Sequence, residues 1–187
     1  MAEIIPFAPT LVRRMAEASS DDARLIACSV AAVISVRAGG AATARLARAL
    51  GVPALPTPNA VVTTSCGDCL WVRPDEWLLA GASASREQMC EVLDTAVGND
   101  EGAVVDVSAS RIVLELSGPA SRDVLAGCCP LDLHPSAFLV GRCAQSVIAK
   151  APVLLHLAND TPCWRIYLRP SLAAYVVAWL TDAMHPA

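Results

Sequence analysis

Apolar residues recur along this chain at two periods, and the switches between them mark out its elements. Ile112, Leu114 and Leu116 alternate with Val113, Glu115 and Ser117, the period of two expected of a half-buried strand. Gly118-Pro119 then turns the chain. Pro119 suits the first turn of a helix, where its missing N–H is not needed. Ala120 to Ala126 follows as a helix carrying Val124 and Leu125 inward and Arg122 and Asp123 outward. Cys129-Pro130 ends it, and a connector runs from His134-Pro135 to Gly141. Strands are predicted at Cys143–Ile148, Val153–Leu157 and Trp164–Leu168. A last helix opens at Pro170-Ser171, with Leu172, Tyr175, Val176, Trp179 and Leu180 as its inner face.

The same order of elements occurs earlier. Leu25 to Ala38 reads as a strand with β-branched Val30, Ile34 and Val36. Gly39-Gly40 turns the chain into a helix over Ala41–Leu50, which Gly51 ends and Pro53 keeps from continuing. Pro53, Pro56 and Pro58 make a stiff connector. Strands follow at Ala60–Ser65, Leu70–Val72 and Trp77–Ala80, with Cys66–Cys69 as the first turn and Pro74-Asp75-Glu76 as the second. Ser85 and Gln88 make a capping box for a helix whose inner face is Met89, Val92, Leu93, Ala96 and Val97, closed by Gly98. Met1 to Ser20 lacks either period and is broken by Pro6 and Pro9, so residues 1–24 are expected to form an extended arm.

Gly39, Ala41 and Leu46 match Gly118, Ala120 and Leu125 at a constant spacing of 79. A period of this size indicates a duplicated unit rather than a solenoid. The predicted fold is α+β: two β-α-β-β-β-α halves, mostly antiparallel sheets with helices packed on one face. Residues 25–187 form one domain of two similar lobes, 25–98 and 103–187, with the polar linker at Asn99–Gly102 between them.

Composition changes the picture in two ways. The 187 residues are 55% hydrophobic and 17% charged, with a mean hydropathy of +0.48. That excess implies either apolar surface covered by a partner or a tightly packed monomer. The net charge of −4, the single lysine Lys150 and the lack of any Lys/Arg run argue against nucleic acid binding. The longest apolar run, Ile26 to Val36, falls well short of the ~20 residues of a membrane helix. It lies behind Asp21 and Asp22, unlike a signal peptide. A cytoplasmic protein without membrane contact is expected, and its eight cysteines then act as reduced, small hydrophobes.

Candidate chemistry is sparse. Cys66-x-x-Cys69 has the spacing of half a zinc site, which needs two more ligands. Redox chemistry wants such a pair at a helix start, whereas this one sits in a hairpin turn. His134 lies in a Pro-flanked loop, His156 within an apolar strand and His185 near the C-terminus; none has a nucleophile or carboxylate in register. Asp75-Glu76 is a paired carboxylate in a turn, and Asp106 with Arg111 is placed to pair across a turn and fix a strand entry. Gly39-Gly40 and Gly118-Pro119 lack the spaced glycines of a phosphate loop. No residue is assigned a catalytic, cofactor-binding or metal-binding role.

Several segments nonetheless resemble a known family. Asp106-Val107-Ser108, Arg111 through Ser117-Gly118-Pro119, and Cys129-Pro130-Leu131-Asp132-Leu133-His134-Pro135 are similar to the gamma subunits of heterotetrameric sarcosine oxidases. So are Arg73-Pro74-Asp75-Glu76-Trp77-Leu78-Leu79, Gly141-Arg142-Cys143-Ala144-Gln145 and Pro152-Val153-Leu154-Leu155-His156. These subunits look like the folate-binding domain of the glycine-cleavage T-protein, which shares the D-x-S and S-G-P pattern. The resemblance implies a complex that oxidatively demethylates sarcosine to glycine, making hydrogen peroxide and either methylene-tetrahydrofolate or formaldehyde. It further implies alpha, beta and delta partners, chiefly alpha. FAD, FMN, NAD and tetrahydrofolate are expected in those partners, none in this chain, which acts as an assembly subunit. The alternatives are a stand-alone tetrahydrofolate-binding one-carbon-transfer protein, a gamma-like subunit of another N-methyl amino acid dehydrogenase, and a small zinc-binding module.

Overall fold

The computed structural model describes residues 8–30, 32–81, 86–99 and 102–185. The elements run in the order α1 (Pro9–Ala18), β1 (Arg24–Cys28), β2 (Ala32–Ala38), α2 (Ala41–Ala49), β3 (Val61–Thr64), β4 (Gly67–Arg73), β5 (Glu76–Gly81), α3 (Arg86–Val97), β6 (Gly102–Asp106), β7 (Ile112–Ser117), α4 (Ser121–Ala126), β8 (Cys143–Ile148), β9 (Ala151–Asn159), β10 (Cys163–Leu168) and α5 (Ala173–Ala183). The α+β class and the antiparallel sheets hold.

The chain divides into two compact units, Val30–Ser110 and Met1–Ser29 with Arg111–Ala187. Each contains one five-stranded antiparallel sheet, in the order β3-β4-β5-β2-β6 in the first and β8-β9-β10-β7-β1 in the second. The two orders are equivalent: a three-strand meander, the strand that leads into a helix, then one more strand. That last strand is exchanged. β1, which opens the first half of the chain, pairs with β7, and β6, which opens the second half, pairs with β2. The stretch Leu25–Ala38, expected as one strand, is therefore two strands in two sheets. The division of the chain likewise does not fall at Asn99–Gly102, because β6 beyond that linker belongs with Val30–Ser110.

Strand alternation explains both cores. Ile34, Val36 and Ala38 point with Leu79, Met89 and Leu93 into one cluster. Ile112, Leu114 and Leu116, each 78 positions on, point with Leu155, Ile166, Val176 and Leu180 into the other. The opposite face of the second sheet is buried as well, through Val113, Leu154, His156 and Tyr167.

Three further expectations change. The arm contains helix α1, with Pro9 in its first turn, where the missing N–H is harmless. Met15 and Ala18 are buried, α1 packs against β1 and α5, and Arg14 donates to Thr181 Oγ1 at 2.9 Å. In α3, Val92 faces outward while Met89, Leu93, Ala96 and Val97 are buried; the capping residue Ser85 lies outside the described residues. In α5, Tyr175 and Trp179 are exposed, and Ala173, Val176, Val177, Leu180 and Thr181 form the inner face.

Candidate functional site

Cys66 and Cys69 do not share a turn. The hairpin turn is Ser65-Cys66, and Cys69 lies inside β4, buried in the core. The period-two geometry of β4 sends Cys69 to the core with Leu79, its cross-strand partner. This arrangement serves packing.

Asp75 and Glu76 are both engaged at the turn into β5. Arg37 Nη2 donates to Asp75 Oδ2 at 2.8 Å, and Ser35 Oγ donates to Glu76 Oε1 at 2.9 Å. The hydrogen bond from Arg37 holds the Asp75 carboxyl below its ordinary range. A carboxyl so depressed stabilises the fold above its unfolded titration range, and the contribution is lost as pH falls through the lower, folded one. An Arg37→Ala chain should therefore show the Asp75 carboxyl resonance titrating at higher pH than in the parent, read by NMR. The pair is exposed, so the change in stability should be small. Asp106 closes the next turn, where its Oδ1 accepts from Ser108 N–H at 2.9 Å and its Oδ2 lies 3.8 Å from Arg86.

The loop after α4 is clamped rather than open for binding. Arg122, expected to point outward, is half-buried. It donates to the carbonyls of Leu133 and Phe138 and lies over the Trp164 ring, 5.2 Å from its centroid. His134 Nδ1 accepts from Ser136 N–H at 3.2 Å, while its own N–H donates to Asp132 at 3.0 Å. The Asp132–Ser136 segment is thus a self-bonded turn.

His156 belongs to a row that sequence reasoning did not assemble. Successive cross-strand partners are Ile26, Glu115, Arg165, His156 and Cys143, from β1, β7, β10, β9 and β8. Facing residues of opposite charge support strand pairing. The signal was present, since Glu115 and Arg165 each interrupt an apolar run in the outward phase of a strand. Thiols flank this row, but their environment suppresses nucleophilicity. Burial, then the Glu115 charge, pushes the Cys163 thiol up to about 11 and raises Cys28. Burial, then Cys129, takes Cys128 to about 11 as well. At pH 7.5 a thiol of pKa 11 is thiolate in only about 3 parts in 10,000, against roughly a tenth for an ordinary cysteine. Cys128 and Cys163 should remain unmodified by iodoacetamide in the folded chain and label fully in denaturant, as peptide mass spectrometry would read.

An open groove of about 520 Å³ lies between α2 and α3, lined by Arg45, Arg48, Glu91, Val92 and Thr95. Arg45 is already committed there, donating to the Ala96 and Val97 carbonyls at 2.8 Å each and capping the end of α3. Among the described residues no cluster of three or more His, Cys, Asp or Glu is arranged to hold a metal, and no helix is long and apolar enough to cross a membrane. The less ordinary surface is apolar: Leu139 is 56% exposed, and Trp179 45%.

Comparison with known proteins gives a consistent result. The model of the sarcosine oxidase, gamma subunit family matches residues 36–185. The sarcosine oxidase subunit gamma of Corynebacterium sp. strain U-96 is 42% identical over 151 residues, 78% of this chain and 70% of that one. Its counterpart in strain P-1 is 38% identical over 179 residues, 93% and 86%. A chain of the heterotetrameric sarcosine oxidase from Corynebacterium sp. U-96, solved with pyrrole 2-carboxylate, superposes with a TM-score of 0.86 at 37% identity, covering 96% of this chain and 93% of that one. Aminomethyltransferase T of the glycine cleavage system from Bartonella henselae superposes at 0.67 with 18% identity, over 91% of this chain and 48% of that one, a likeness of fold alone.

Proposed function

The chain belongs to the sarcosine oxidase gamma subunit family, and from that premise we propose that it is the gamma subunit of a heterotetrameric sarcosine oxidase, built for assembly rather than chemistry. The observation that carries this reading is the near full-length superposition, at 37% identity, on a chain of such an enzyme. Its partners are alpha, beta and delta subunits, chiefly alpha, and they hold the FAD, FMN, NAD and tetrahydrofolate. The complex oxidises the N-methyl group of sarcosine, passing two electrons to oxygen as hydrogen peroxide. Glycine is released, and the methyl carbon leaves as methylene-tetrahydrofolate or formaldehyde.

The residues fit a supporting role. The titratable groups described above are tied into turns, caps and cross-strand pairs, and the shifted thiols are held protonated. Eight cysteines without a disulfide suit the reducing cytoplasm, where we place the protein. Equilibrium dialysis of the purified chain against tetrahydrofolate should give no bound ligand at millimolar concentration. Stoichiometric binding would instead make the chain a folate protein in its own right.

A further inference from the structure

We draw no further inference here: the strongest candidate, the uncharged outer face of α5 around the exposed Tyr175 and Trp179, is an apolar surface patch, and nothing in the structure shows what covers it.

Discussion

A Gly81→Ala chain should fold but be far less stable than the parent. A Cβ at position 81 would lie 1.8 Å from the Cys66 carbonyl oxygen and 2.9 Å from its carbon. Both are backbone atoms, held in the hairpin turn where Cys66 N–H donates to Thr64 Oγ1 at 3.1 Å. No rotamer change relieves that contact; β4 and β5 would have to separate. The approach is reciprocal, since a Cβ on Gly67 would meet the Ala80 oxygen at 2.4 Å. Overpacking of backbone where β5 ends beside the β3–β4 turn should cost about 3–4 kcal/mol, a large share of the roughly 5–15 kcal/mol of a folded domain. The urea midpoint should fall by about 1 to 3 M. Gly39→Ala, with nothing within 4 Å of the added carbon, serves as the neutral control. A Gly81→Ala midpoint equal to that of the control would show that the two strands are not so close.

The second large effect is expected at Trp164. Its side chain is fully buried, 5.1 Å from the Phe138 ring and beneath the Arg122 guanidinium. Trp164→Ala should remove about 3–5 kcal/mol through lost burial and the cavity left behind. It should also free the loop that Arg122 clamps, so that proteolysis begins between Leu131 and Leu139. Trp164→Phe should behave differently. The indole N–H is buried and has no hydrogen-bond partner among the described residues, a state that itself costs about 1–3 kcal/mol. Phenylalanine keeps most of the ring volume and removes that donor. It should cost less than about 1.5 kcal/mol and leave the loop protected. Equal damage from Ala and Phe would place an unseen partner on the indole nitrogen.

Most elements were legible because strands and helices differ in period, and Gly, Pro and Ser/Thr punctuate them. The duplication was legible too, but its spacing was not. Gly39 and Gly118 suggest 79, whereas the inward residues Ile34, Val36 and Ala38 correspond to Ile112, Leu114 and Leu116 at 78. In a strand, one residue reverses every side chain. At 79, core-facing Val36 would be matched with Glu115. The strand exchange leaves no local trace, because Leu25–Cys28 and Ala32–Ala38 each read as strand and only long-range register separates them. The α1 helix was hidden by Pro9, which breaks a helix interior but suits a helix start.

The error at α5 has a different origin. Apolar residues surround the whole helix, so periodicity fits more than one inner face, and the spacing counted from Leu172 selects the one that includes the aromatics. The docking of α1 rotates the buried arc toward Val177 and Thr181 and leaves Tyr175 and Trp179 outside. The pattern failed where the surface is least like that of an independent soluble helix.

The most direct measurement is co-expression of the alpha, beta and delta subunits with and without this chain, followed by size exclusion, flavin absorbance and peroxide release from sarcosine. With the chain present, a four-subunit species should elute with full activity. Without it, the remaining subunits should keep their flavin spectra but fail to form that species. A complete, active assembly formed in its absence would contradict the assembly role. Flavin or folate eluting with this chain alone would contradict the proposal that the cofactors belong to the partner subunits.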